Sequence, residues 1–288
     1  MTELDGLIRV ETPQLSLAVR DHPGGAPPLL ALHGLASNAR WWDLVAARLA
    51  PRFRVVAPDM RGHGLSGRPD SGYDFEAVVG DLLEVIAALK LPQLVVVGHS
   101  WGATVALALA GASPPAVPGA VCVDGGATDL RAFFGADWAV AERAMRPPPL
   151  RGVTPEAVRG WVEASPLPEG SDAATATEIL LGNFEPDGDG LTPRLTLERH
   201  MQIAKSLYDL DVDALLGAVS CPVLFVPAGQ EAATDTRRGA ALERAHAVLG
   251  ERMSVRWVDG GHDLPVQRPA EVAAAISWFV EERITPGG

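Results

Sequence analysis

Short apolar runs alternate with helical patterns along most of this chain, and that alternation restricts the fold more than any other feature. The runs LLAL, RVVAP and LVVVG end in turn residues, and a segment with apolar residues at helical spacing follows each of them. Strands that are apolar at nearly every position are typical of a parallel sheet covered by helices on both faces. We therefore expect an α/β fold built on a mostly parallel, doubly wound sheet.

Composition and charge limit the possible partners. The chain has 288 residues, 47% of them hydrophobic, with a net charge of −12 and a pI of about 5.0. Nucleic acids and anionic membrane surfaces are bound through basic surfaces, so no nucleic-acid or membrane partner is expected. No apolar run reaches the ~18 residues of a spanning helix, and the polar, acidic first residues are not typical of a signal peptide. We expect a monomer or homodimer that acts on a small molecule.

The two cysteines indicate a reducing environment. Cys122 and Cys221 lie in or beside strand-like runs, where buried thiols are commoner than disulfides. The sequence therefore predicts a cytoplasmic location.

One segment, residues 128–213, interrupts the alternation. It has no convincing strand pattern, contains many prolines, and carries apolar and aromatic residues that fit short helices. We predict that it is a helical lid inserted into one α/β core, whose two parts are residues 1–127 and 214–288.

The stretch Gly98-His99-Ser100-Trp101-Gly102 lies between a predicted buried strand and a predicted helix. Ligand sites in open parallel sheets form at the carboxyl ends of strands. Glycines on both sides of Ser100 let strand and helix approach closely, and the tight turn leaves the serine hydroxyl exposed near the helix N-terminus. This arrangement is typical of a nucleophile elbow.

Four motifs, HGLASNARWW, PDMRGHGLSGRP, GHSWG and GGHDLPVQRP, occur in an order that resembles the α/β-hydrolase superfamily over nearly the whole chain. The resemblance implies an eight-stranded sheet with an inserted helical lid. It also implies that Ser100 is the nucleophile and that His262, behind two glycines after the last strand, is its base. The backbone N–H groups of Leu35 and Trp101 would form the oxyanion hole.

The acid of the triad is ambiguous in the sequence. The family normally places an aspartate after the penultimate strand, but this chain reads CPVLFVPAGQEAATD there. Counting from Cys221 places Glu231 at the aspartate position, and Glu231 is our first choice. Asp124, at the end of the preceding strand, is the alternative because some relatives take their acid from that strand. Asp235, or no acid at all, stays open.

The substrate pocket is expected to be apolar, with no cofactor and no metal. Its expected lining residues are His33, Trp101, Phe133, Phe134 and Trp138. No His/Cys/Asp cluster has metal-ligand spacing, and GHSWG is not a dinucleotide-binding motif.

A serine at the elbow argues against haloalkane dehalogenases and epoxide hydrolases, which attack with a carboxylate at that position. The sequence predicts a serine hydrolase similar to carboxylesterases, which cleaves a small, largely apolar ester, lactone or thioester through an acyl-enzyme. One alternative is a carbon–carbon bond hydrolase or lyase with the same triad. The other is a ligand-binding protein without catalytic activity on this fold.

Overall fold

A single eight-stranded sheet forms the framework of the computed structural model, which describes residues 7–164, 173–229 and 236–285. The strands in chain order, including two that form a separate hairpin (β7 and β8), are β1 Leu7–Glu11, β2 Ser16–His22, β3 Leu29–Leu32, β4 Val55–Pro58, β5 Val95–His99, β6 Gly119–Val123, β7 Phe184–Asp187, β8 Gly190–Pro193, β9 Val223–Val226 and β10 Met253–Val255. Their order in the main sheet is β1-β2-β4-β3-β5-β6-β9-β10. Strand β2 runs antiparallel to both of its neighbours, and the remaining pairs are parallel. The predicted, mostly parallel sheet is confirmed.

Helices connect these strands. They are α1 Asp43–Leu49, α2 Phe75–Ala88, α3 Trp101–Ala112, α4 Leu130–Phe134, α5 Trp138–Met145, α6 Pro155–Glu163, α7 Ala173–Leu181, α8 Leu197–Asp209, α9 Val212–Ala218, α10 Thr236–Leu249, α11 Leu264–Gln267 and α12 Pro269–Phe279. A 3₁₀ turn, Ala39–Trp42, precedes α1, and a short π-helical turn, Val280–Ile284, follows α12. Among the described residues, no helix has both the length and the apolar character needed to cross a membrane.

Hydrophobic cores lie on both faces of the sheet. In β3, Leu30 and Leu32 face the core that contains residues of α2, α3, α9 and α10, whereas Leu29 and Ala31 face the core that contains residues of α1 and α12. Successive side chains of a strand point to opposite faces, so a strand between two helical layers must be apolar at every position. This explains the unbroken apolar runs of the sequence.

The segment between β6 and β9 departs from the all-helical prediction. It contains helices, as expected, but β7 and β8 pair as an antiparallel hairpin. The prediction that this segment lacks strands is therefore wrong. The strands are four residues each, partly exposed, and include Pro186 and Pro193, which hid any alternating pattern. Gly188 has φ +62° at the first position of the two-residue loop Gly188-Asp189, so this Gly-Asp pair was the available signal. The boundaries 128–213 of the lid stay a prediction.

The carboxyl ends of β5, β6 and β9 meet at one edge of the sheet. The N–H of Ser100, just after β5, donates to the carbonyl of Val123 at 3.0 Å. The N–H of Asp124, just after β6, donates to the carbonyl of Val226 at 3.0 Å. The parallel ladder therefore continues one residue beyond each strand and brings Ser100 and Asp124 side by side.

Candidate active site

The turn from β5 to α3 holds Ser100 in a strained backbone conformation, with φ 54° and ψ −120°. Non-glycine residues rarely adopt a positive φ, and such strain concentrates at functional sites. A Cβ on Gly98 would lie 2.0 Å from the carbonyl oxygen of Gly102, and one on Gly102 would lie 2.4 Å from that of His33. Both positions require glycine because strand, helix and the neighbouring loop approach so closely.

Three side chains form a continuous hydrogen-bonded chain at this edge of the sheet. His262 Nε2 lies 3.0 Å from Ser100 Oγ, and His262 Nδ1 lies 2.6 Å from Asp124 Oδ2. Asp124 can only accept when ionised, so Nδ1 carries a proton and Nε2 offers a lone pair to the serine hydroxyl. The arrangement can therefore take the Ser100 proton.

Among the described residues, Asp124 is the carboxylate within hydrogen-bond distance of the His262 ring. Its side chain is only 4% exposed, and Oδ1 also accepts the backbone N–H of Ala228 at 3.0 Å. Glu231, our first choice from the sequence, and Asp235 lie outside the described residues. Asp124 was the alternative predicted from the sequence. It follows β6, the strand next to β5, whereas Glu231 follows β9 in the sequence.

The pKa values of Asp124 and His262 are shifted in opposite directions by the contact between them. Burial alone would raise the pKa of Asp124, but hydrogen bonds from His262, Arg238 and the N–H of Ala228 outweigh it and lower the pKa to about 2. The hydrogen bond to Asp124 raises the pKa of His262 above its ordinary value, against partial desolvation. Asp124 thus stays ionised at neutral pH and stabilises a protonated His262.

Two backbone N–H groups next to Ser100 are available for a developing negative charge. A Cβ on Gly34 would lie 3.3 Å from Ser100 Cβ, so the loop that carries Leu35 packs directly on the serine. Trp101, the residue after Ser100, is the first residue of α3, so its N–H lies at the helix N-terminus next to the serine. Within the described parts of the chain, the N–H groups of Leu35 and Trp101 have no hydrogen-bond acceptor. Unpaired donors at a helix N-terminus are suited to an oxyanion.

Buried histidines support this loop from below. His33 is 0% exposed; its Nε2 accepts the N–H of Met60 at 3.0 Å and its Nδ1 donates to the carbonyl of Gly34 at 2.8 Å. His63 Nε2 accepts the N–H of Ala36 at 3.2 Å. His33 was predicted from the sequence to line the substrate pocket. Its burial instead makes it a support of the Gly34 loop, without a surface that a substrate could reach.

A further buried histidine, His99, contacts the main chain of His262. Its Nε2 donates to the carbonyl of His262 at 2.8 Å, and the two rings lie 4.8 Å apart. Burial lowers the pKa of His99 to about 3, so the ring stays neutral. No role for His99 was predicted from the sequence; its position next to the nucleophile was the available signal.

The predicted aromatic lining separates into three places. Trp101 is 3% exposed and stacks on His63 with ring centres 5.4 Å apart, so it packs mainly into the core. Phe133 is 44% exposed, and its ring meets that of Phe134 edge-on at 4.5 Å. Trp138 lines a second cleft together with Lys205, and its ring contacts that of the buried Tyr208. Trp138 is not among the described residues that line the cleft beside His262.

A cleft of about 450 Å³ opens beside His262 and Asp124. Most of its wall is apolar, and its lining includes Ala127, Phe133, Phe225, Pro227 and Leu242 together with Arg238 and Arg244. Among the described residues, no group of three or more His, Cys, Asp or Glu side chains is placed to hold a metal ion.

Comparisons with known proteins agree with this architecture. A model of the alpha/beta hydrolase family matches residues 29–275. The crystal structure of E-2-(acetamidomethylene)succinate hydrolase has a TM-score of 0.76 and 25% identity, and the match covers 95% of this chain and 98% of that one. Epoxide hydrolase A of Mycobacterium tuberculosis is 27% identical, over 89% of this chain and 91% of that protein.

Matches of higher identity are local. The 2-(acetamidomethylene)succinate hydrolase of Mesorhizobium japonicum is 35% identical over 40% of this chain and 41% of its own length. Several curated relatives at 35–39% identity are matched over only 29–41% of their length. The family model, in contrast, spans most of the chain, from β3 into α12. The protein belongs to the alpha/beta hydrolase family.

Proposed function

We propose that the protein is a serine hydrolase that cleaves a small, largely apolar ester-like substrate through an acyl-enzyme on Ser100. The observation that carries the proposal is the pair of contacts at His262, 3.0 Å to Ser100 Oγ and 2.6 Å to Asp124 Oδ2. We assign Asp124, in place of Glu231, as the acid. The likeness to Epoxide hydrolase A extends to the fold and not to epoxide opening, because a serine stands at the elbow.

The reaction follows from these positions. Ser100 Oγ attacks the carbonyl carbon while its proton moves to His262 Nε2, and the carbonyl oxygen gains negative charge opposite the N–H groups of Leu35 and Trp101. His262 then gives the proton to the leaving oxygen, and the acyl group stays on Ser100. A water molecule, deprotonated by His262, attacks the acyl carbon and releases the acid, with the proton returned to Ser100.

The apolar wall of the cleft supports an uncharged substrate. Phe133, which is 44% exposed, presents apolar surface to the cleft that His262 also lines, and burying the hydrocarbon of an acyl or alkoxy group there is favourable by about 25 cal/mol per Å². A strong preference for charged acyl groups would contradict this part of the proposal.

A second candidate is cleavage of an N-acyl group. The likeness to E-2-(acetamidomethylene)succinate hydrolase over 95% of the chain favours it, and the same nucleophile and base serve amides and esters. Carbon–carbon cleavage or lyase chemistry would also use these residues. Identifying the products by mass spectrometry separates all of these reactions, since each leaves a different pair of fragments.

The first experiment is labelling with a fluorophosphonate, followed by intact mass measurement and peptide mapping. We expect a single adduct on Ser100, and no adduct in Ser100→Ala. A panel of apolar esters, lactones, thioesters and N-acyl amines then ranks the substrates. If folded wild-type protein gives no adduct, the serine is not activated. The hypothesis of a ligand-binding protein without catalytic activity then replaces the proposal.

A further inference from the structure

The carboxylate of Asp124 is held on both oxygens by one arginine. Arg238 Nε lies 3.0 Å from Oδ1 and Arg238 Nη2 lies 3.1 Å from Oδ2. The same carboxylate meets the N–H of Ala228 and the ring of His262. Asp124 thus accepts four hydrogen bonds, about the full capacity of an ionised carboxylate.

We call the guanidinium of Arg238, which contacts both oxygens of Asp124, the fork. It comes from a different part of the fold than Asp124. Arg238 lies in the first turn of α10, after β9, whereas Asp124 ends β6. A guanidinium that binds both oxygens fixes the plane of the carboxylate as well as its charge. That plane decides whether Oδ2 stays directed at His262 Nδ1, so Arg238 can act on the base through the acid.

The positive charge of Arg238 also acts on the pKa of His262, in the direction opposite to the negative charge of Asp124. Among the described residues, the charged groups that act on His262 are Asp124 and Asp263, which favour its protonated form, and Arg238, which disfavours it. His99, in ring contact with His262, is kept neutral by burial. Arg238 is thus the one cation in this group of described neighbours, and it partly cancels the negative charge that would otherwise hold a proton on His262.

We propose that Arg238 is a positioning residue for the acid: its fork orients Asp124, and its charge keeps His262 available as a free base at lower pH. This inference rests on the proposed function, because it assumes that Ser100 is activated by His262. It adds to Ser100, His262 and Asp124 a fourth residue, which acts through Asp124 and not on the reacting atoms.

The test is the rate constant of Ser100 labelling by a fluorophosphonate, measured from pH 5 to 9 in wild-type protein, Arg238→Gln and Arg238→Lys. In Arg238→Gln the acidic limb should move up by about 0.5–1 pH unit. At the wild-type midpoint, that shift lowers the rate about two- to five-fold. Arg238→Lys keeps the charge but not the fork, so its limb should stay near that of the wild type while its plateau falls about three-fold.

Arg54→Gln is the matched control. Arg54, the residue before β4, makes the same two-point contact with Asp21 in β2, at 2.9 and 2.7 Å, at the opposite end of these strands from the site. Its profile should coincide with that of the wild type. The inference is overturned if Arg238→Gln keeps the wild-type limb, if Arg238→Lys shifts as far as Arg238→Gln, or if Arg54→Gln gives the same shift. Failure of wild-type labelling would instead overturn the proposed function.

Discussion

The histidines near Ser100 form two groups, which differ in how far their side chains are buried and in whether they contact a carboxylate. His33, His63 and His99 are at most 3% exposed, and burial lowers their pKa values, to about 4 for His63 and about 3 for His99. The side chain of His262 is 52% exposed and contacts a carboxylate, and its pKa is raised. The buried rings serve as neutral hydrogen-bonding spacers, whereas the ring at the edge of the sheet can accept and return a proton.

The sharpest test of this contrast is to remove the charge beside His262. Asp124→Asn should lower the labelling rate of Ser100 about 10³-fold or more, because a neutral amide neither fixes the tautomer nor stabilises the protonated ring. The corresponding change Glu231→Gln should stay within about three-fold of the wild type. If the two variants show the opposite pattern, the acid is Glu231 and the first interpretation of the sequence was right.

Acid should destabilise the fold through the buried histidines. The unfolded chain binds a proton at each of them below about pH 6.5, whereas folded His99 and His63 bind one only near pH 3 and pH 4. Stability is therefore present above pH 6.5 and is lost as pH falls toward the folded values; at pH 5, His99 alone accounts for about 2 kcal/mol.

Urea unfolding at pH 7 and pH 5 measures this loss. His262 acts in the opposite sense, because its raised pKa stabilises the folded state most below pH 6.5. A variant His99→Gln should lose about 2 kcal/mol less than wild-type protein between the two pH values. An equal loss in both proteins would mean that His99 does not remain neutral in the folded state.

The smallest expected effect concerns the bond from His99 to the main chain of His262. His99→Phe removes the donor, so the loop that carries the base loses one anchor. We expect kcat to fall about five-fold with little change in KM, since a lost hydrogen bond of about 1 kcal/mol acts on the position of the base. His99→Gln can still donate to the same carbonyl and should recover most of the activity. Equal losses in both variants would point to packing instead.

Local patterns were sufficient for much of this architecture. The central strands appear in the sequence as apolar runs that end in turn residues, and the turn at Ser100 and the place of His262 are marked by glycines. The β7–β8 hairpin was missed because Pro186 and Pro193 and partial exposure removed the alternation by which strands are recognised. Trp138 was expected in the pocket on its residue type alone, and residue type does not specify direction.

The acid and its arginine partner could not be chosen from the sequence. Asp124 and His262 are 138 residues apart along the chain, and nothing local distinguishes Asp124 from Glu231 as a partner. The parallel register of β5, β6 and β9 accounts for the contact between Asp124 and His262, because that register sets Asp124 one strand away from Ser100. Arg238 carried no sequence signal at all, since its role depends on where α10 begins relative to the end of β6.

The layered α/β fold, the serine in a tight turn between strand and helix, and the family of the chain could all be predicted from local sequence patterns. These follow from periodicity and from close backbone approaches that only glycine permits, which are properties of neighbouring residues. Tertiary structure alone decided which carboxylate meets His262, which histidines stay neutral and which aromatic rings reach the cleft. Those outcomes depend on burial and on contacts between distant segments, and both exist only once the sheet has assembled.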